Sequence, residues 1–187
     1  IASNYCLGGG YPVMINAVNQ GIEIANHSAT HPDLTTTANL ESEINESKAT
    51  IEAHIPHYKI STFAYPMGVF NDSVKSKVRQ KHIAARGVSL PENSFWNYNL
   101  NTTNNTYDNL GTVTVNSALT SSAFTNWVKD GIHDGGLITF MFHSVYNNKV
   151  QDHWYSAIDE SLLMKYLDSL KGYENQTVEQ FNMTLVT

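Results

Sequence analysis

Residues Leu137-Ile138-Thr139-Phe140-Met141-Phe142 form the most apolar unbroken run of the chain, and His143 closes it. A continuous run of this length suits a strand covered on both faces, since a half-exposed strand alternates apolar with polar residues. Such a strand needs helices on either side, and the rest of the chain supplies them. Residues 11–20 read as a helix with Pro12 near its start and Gly21 as its stop. Ile22 and Ile24 alternate as a strand. From Thr35 to Ile55, Leu40, Ile44, Ile51 and Ile55 recur near helical spacing, while Glu41, Glu43, Glu46, Lys48 and Glu52 are expected to face water, and Pro56 ends the element. Strands over 59–64, 82–89, 112–115 and 137–145 alternate with helices from about Asn71, over 120–133 and from Asp159, the last with Gly172 as its cap. A closing strand is expected near 183–186. Residues 91–110 carry no periodicity and read as a long loop anchored by Trp96 and Tyr98.

This alternation argues for a parallel α/β sheet or an incomplete (β/α) barrel rather than a sandwich. At 187 residues the chain is long enough for one domain with a real core. In such folds chemistry collects at the carboxyl ends of the strands, and that is where His27, His31, Tyr65, Pro66, Arg86 and His143 fall.

A net charge of −6 without any Lys/Arg cluster argues against nucleic acid or an anionic membrane surface as partner, because both require concentrated positive charge. No apolar run approaches the span of a bilayer, and the residues from Ile1 onward lack the pattern of a signal peptide. A soluble form is expected. Cys6 is the single cysteine, which excludes an internal disulfide. Asn-x-Ser/Thr sequons at Asn26, Asn45, Asn71, Asn101, Asn104, Asn175 and Asn182 hint at secretion.

His27 and His31 follow the Ile22/Ile24 strand directly, and Pro32 stops any long helix from carrying them apart. Two imidazoles separated by three residues suit one divalent ion of borderline softness. The same spacing also fits two surface histidines near a turn. The flanks are more specific. The stretch Gly21-Ile22-Glu23-Ile24-Ala25-Asn26-His27-Ser28-Ala29-Thr30-His31-Pro32-Asp33-Leu34 resembles the metal-binding motif of the polysaccharide deacetylases, carbohydrate esterase family four, almost residue for residue. Phe63-Ala64-Tyr65-Pro66-Met67-Gly68 resembles the middle motif of that family, with Ala64 where an Arg is typical. The Phe-Ala-Tyr-Pro form is similar to the subgroup that includes biofilm exopolysaccharide deacetylases. The apolar run ending in His143 resembles the family's final motif, with Ser144 where Asp is usual.

The resemblance implies a distorted, incomplete (β/α) barrel and metal-dependent hydrolysis of N- or O-linked acetyl groups on a polysaccharide. His27 and His31 would hold the metal, zinc first and cobalt, nickel or manganese as alternatives. The backbone N–H of Met67 would stabilise the oxyanion, and His143 would be the general acid. Arg86 would either stand in for the missing Arg and orient an acidic residue or form a structural ion pair. Tyr65, Pro66, Trp96 and Met141 would contact substrate, Met141 and Trp96 around the acetyl methyl. Asp33 is expected to cap the segment after it rather than bind metal. His54, His57, His82, His133 and His153 are expected to be surface or structural. A secreted or cell-surface location follows from a polysaccharide substrate.

The family's first motif, a strand ending in Thr-Phe-Asp-Asp-Gly, supplies the catalytic base and a third metal ligand, yet no Asp precedes His27. A fragment lacking its first strand is the favoured expectation, with a permuted arrangement and a pseudoenzyme as the others. The rival function is a catalytically inactive carbohydrate-binding module on the same scaffold, with Tyr65, Trp96 and Trp154 stacking on sugar rings.

Overall fold

The computed structural model describes residues 10–88, 106–134, 137–146, 157–171 and 184–185. It is a mixed α/β structure in which every described strand pairing is parallel. The residues gather into two compact units, one built from 10–87, 106–110 and 184–185 and one from 88, 111–134, 137–146 and 157–171.

In the first unit, helix α1 (Gly10–Asn19) leads to strand β1 (Glu23–Ile24), and Gly21 makes the turn between them at φ 83°, a conformation that costs glycine little. Helix α2 (Leu40–His54) is followed by β2 (Thr62–Ala64), a 3-10 turn at Pro66–Gly68, helix α3 (Asp72–Arg79) and β3 (Ala84–Arg86). β8 (Thr184–Leu185) pairs with β1, a bridge between Asn26 and Phe63 joins β1 to β2, β2 pairs with β3, and a bridge links Arg86 to Leu110. The carboxyl ends of β1, β2 and β3 therefore lie along one edge.

Helix α2 starts later than periodicity suggests because Asp33 claims the preceding turn. Its side chain accepts from the amide and hydroxyl of Thr35 at 2.8 and 2.6 Å, and its carbonyl accepts from the amides of Thr36 and Thr37. Those bonds hold the Asp33 carboxyl below the usual carboxylate range. Ile51 and Ile55 pack with Met14, Ala17, Ile24 and Ile60 on one side of the strands. Ile44 packs with Leu34, Phe63, Tyr65, Val74, Val78 and Ala85.

Glu43 departs from expectation. Rather than facing water, it is buried, only 8% exposed. It shares the inward face of α2 with Ile44, Ser47 and Ile51, since positions three and four apart lie together on a helix.

In the second unit, β4 (Val113–Thr114) precedes α4 (Ser121–Asp134), followed by β5 (Phe140–Met141), β6 (Ser144–Tyr146), β7 (Ala157–Asp159) and α5 (Glu160–Leu170). Phe124, Val128, Tyr166, Leu170, Val115 and Ile158 form its core. The single strand expected over 137–145 is two strands here. β5 pairs with β4 and β6 with β7, so the ladder breaks where the chain changes partner, with a bend at His143. Coverage on both faces does not follow either, since Leu137 and Val145 are exposed. Asp159 opens α5 as expected, its carboxylate accepting from the Ser161 amide at 2.8 Å. The expected positions of Cys6, Trp96, Tyr98, His153, Trp154 and Gly172 lie outside the described residues.

Candidate active site

Three parallel strand ends assemble the candidate site. β1 extends through the Asn26 bridge to His27, β2 runs into Tyr65-Pro66-Met67, and β3 ends on Arg86. The amide of Tyr65 donates to the Arg86 carbonyl at 3.0 Å, and the Ala64 amide donates to the Asn26 carbonyl at 2.8 Å. Segments distant in sequence are thereby stitched at one edge.

His27 Nδ1 lies 2.7 Å from the carbonyl oxygen of Ala64. A carbonyl only accepts, so Nδ1 carries the proton and the lone pair is on Nε2. Burial pushes the His27 pKa down to about 3, and the nearby charges of His31 and Arg86 act in the same direction. The ring is therefore neutral at ordinary pH. The His31 ring stands 4.7 Å away, centroid to centroid, at an interplanar angle of 73°.

The loop joining the two histidines is held from inside by polar side chains whose importance the sequence did not reveal. Asn26 is fully buried. Its Nδ2 donates to the Ile44 carbonyl at 2.9 Å and lies 3.3 Å from His82 Nε2, while its Oδ1 accepts from the Ser28 amide at 3.2 Å. Ser28 Oγ accepts from the His31 amide at 3.0 Å, and the Ser28 carbonyl accepts from Ser47 Oγ at 2.8 Å. Glu43 accepts from the amides of Ala29 and Thr30 and from the Thr30 hydroxyl. Ser28 and His31 both sit in left-handed backbone, at φ 67° and 58°. The one available signal was compositional: Glu43 and Ser47 are polar residues on the apolar stripe of α2.

Met67 adopts φ 56° and is 51% exposed. The flanking amides of Gly68 and Val69 donate to the carbonyls of Tyr65 and Pro66. Arg86 is half-buried. Its guanidinium donates to the Gly87 carbonyl at 3.3 Å, and burial brings its pKa down to about 10, which leaves it charged.

The ring of Tyr65 is not where a sugar-contacting residue must be. It is fully buried, packs against Phe63 and Phe70, and donates its hydroxyl to the Asp108 carbonyl at 2.7 Å. Burial raises its pKa beyond the usual tyrosine range. A stacking platform needs an exposed face, so the expectation that Tyr65 stacks on sugar is corrected: the side chain is core. Pro66 beside it is buried as well. His82, expected to be surface or structural, is structural: buried, with Nδ1 donating to the Val78 carbonyl at 3.0 Å. Met141 is buried and His143 exposed, both in the second unit. Trp96 lies outside the described residues. Among the described residues no group of three or more His, Cys, Asp and Glu side chains gathers as a complete metal site. The rings of His27 and His31 stand together at this edge.

Comparison with known proteins agrees with the motifs. Residues 9–85 match the family model described as polysaccharide deacetylase. A polysaccharide deacetylase from Bacillus cereus is similar in structure, with a TM-score of 0.58 and 21% identity over 68% of this chain and 39% of that one. A Bacillus anthracis protein assigned to the same class gives a TM-score of 0.58 at 22% identity, with the same coverage. At that identity the likeness speaks for the fold. The chain spans about 39% of the length of these two proteins. No curated protein matches it significantly. Residues 9–85 are thus similar to the polysaccharide deacetylase family, and the likeness rests on that segment.

Proposed function

We propose that this chain forms part of a metal-dependent deacetylase acting on an acetylated polysaccharide, with the metal held through His27 and His31. The observation that carries the reading is the bond from His27 to the Ala64 carbonyl. A metal-ligating imidazole characteristically donates its other ring N–H to a carbonyl or carboxylate, which fixes the tautomer and raises the basicity of the ligating nitrogen. Two imidazoles sharing a tetrahedral ion at about 2.1 Å have ring centres roughly 5 Å apart, and the observed spacing is 4.7 Å. The depressed pKa of His27 keeps it in the neutral form that a metal requires. The donor set suits zinc and accepts cobalt, nickel or manganese.

A bound divalent ion would polarise the acetyl carbonyl and lower the pKa of water. The chain's own residues would do the rest. The Met67 amide, at the exposed turn beside the histidines, would donate to the oxyanion, and a backbone donor tolerates Met where the family typically has Tyr. Arg86 would hold an acidic residue in place by its charge. His143 would give a proton to the leaving nitrogen or oxygen, and Met141 and Trp96 would enclose the acetyl methyl. A third ligand and a carboxylate base would complete the site. A polymer substrate fits a secreted or cell-surface protein.

Zinc titration of the 187-residue chain, with acetate release from acetylated glucosamine oligomers and acetylated xylan, tests the reading. Zinc binding that His27→Ala abolishes is expected, together with acetate release that His143→Ala lowers at least a hundredfold without changing zinc affinity. Equal zinc uptake by the parent chain and His27→Ala would overturn it.

A further inference from the structure

Glu43 is buried on α2, and its hydrogen bonds to Ala29 and Thr30 all reach the three-residue interval between the two histidines. Oε2 accepts from the amides of Ala29 at 3.0 Å and Thr30 at 2.9 Å, and Oε1 accepts from the Thr30 hydroxyl at 2.6 Å. These donors sit between Ser28 and His31, both of which adopt left-handed backbone. A left-handed non-glycine residue is held there only when its surroundings over-determine it. Two consecutive amides turned toward a single carboxylate oxygen supply that constraint, because the bonds are charge-assisted and stronger than neutral ones. Glu52, on the same helix, provides the contrast. It accepts from Lys48 and Lys59 and from the Ile60 amide, on the side of the helix away from these donors' bonds.

We propose that Glu43 is a positioning residue for the His27–His31 pair: its carboxylate bends the 28–31 loop so that the two imidazoles stand together. The inference rests on the metal reading for its functional meaning, but its geometry does not depend on a bound ion. A glutamine at position 43 keeps the size of the side chain but loses the charge. Its oxygen can keep the two amides while its N–H₂ meets the Thr30 hydroxyl, which turns to accept, so what the variant removes is the charge that strengthens both amide bonds.

The experiment uses the full chain and the variants Glu43→Gln, Glu52→Gln, Thr30→Val and His27→Ala, with two readouts. In the metal-free protein the rings of His27 and His31 give a nuclear Overhauser contact, which Glu43→Gln loses and Glu52→Gln keeps. In zinc competition, Glu43→Gln binds roughly tenfold or more weakly than the parent, as loss of a supporting partner does at metal sites. Glu52→Gln lowers the melting temperature without changing zinc affinity. Thr30→Val removes only the exposed hydroxyl donor and gives a smaller loss in both readouts. It decides the matter if Glu43→Gln does not fold. Intact ring contacts and parental zinc affinity in Glu43→Gln, or in Thr30→Val where that variant decides, would overturn the role. If His27→Ala binds zinc as the parent does, the metal reading fails, and the ring contact alone decides whether Glu43 positions the pair.

Discussion

Met67 at φ 56° shows how much a single residue can reveal about purpose. An L-residue pays about 1 kcal/mol to sit in left-handed backbone, and neighbouring Gly68, at φ 70°, would be the cheaper choice for such a turn. If the amide of Met67 is the oxyanion donor, its side chain is dispensable and its N–H is not. Met67→Gly should keep turnover and shift stability by no more than about 1 kcal/mol. Replacing Met67 by its α-hydroxy analogue, which exchanges the N–H for an ester oxygen and leaves φ free, should cost a hundredfold or more in acetate release while zinc still binds. Retained turnover in that ester variant would remove the amide from the mechanism.

The lowered pKa values of two histidines predict acid sensitivity. Burial lowers the pKa of His82 to about 4 and that of His27 to about 3, whereas an imidazole in the unfolded chain titrates near 6.5. Between those values the unfolded state binds more protons than the folded one. The stabilisation is thus complete above about pH 6.5 and is lost as pH falls toward 4. Denaturant midpoints measured at pH 7.5 and pH 5 should show a clear drop, reduced in His82→Gln. A flat profile would mean that neither ring is buried neutral.

At the scale of elements, boundaries follow local hydrogen-bond chemistry. Asn71 caps α3 by accepting from the Val74 amide at 3.0 Å, and Asn71→Ala should cost about 1 kcal/mol in unfolding free energy. Ile44 on α2 is fully buried against Phe63 and Leu34, so Ile44→Ala should cost about 2–5 kcal/mol, read from the same denaturant titrations. α2 has two inward duties. Its isoleucines bury apolar surface, and Glu43 with Ser47 holds the histidine loop by hydrogen bonds. Periodicity reported the first duty faithfully and was silent on the second, because a hydropathy pattern scores a carboxylate as solvent-facing wherever it stands.

At the scale of the molecule, a metal that binds only the folded chain adds RT ln(1 + [L]/Kd) to its stability, about 2.7 kcal/mol at a hundredfold excess over Kd. Zinc should therefore raise the melting temperature of the parent chain and leave that of His27→Ala unmoved. Among the described residues no helix is long and apolar enough to cross a membrane.

The sequence alone determined what local chemistry controls. The order of strands and helices as far as α4, the stop at Gly21, the helix starts near Asn71 and Asp159, and the two histidines at a strand end were all legible. So was the resemblance to the polysaccharide deacetylases, because the motifs that carry it are contiguous and short-range. Only the tertiary structure decided that Tyr65 belongs to the core, that Glu43 and Asn26 support the histidine loop, and that the run from Leu137 breaks at His143 to change partners. Each of these depends on which distant segment supplies the neighbour: Asp108 for Tyr65, Ala29 and Thr30 for Glu43, His82 for Asn26. A residue's own type fixes which bonds it can make, and only the folded chain says which partner arrives to make them.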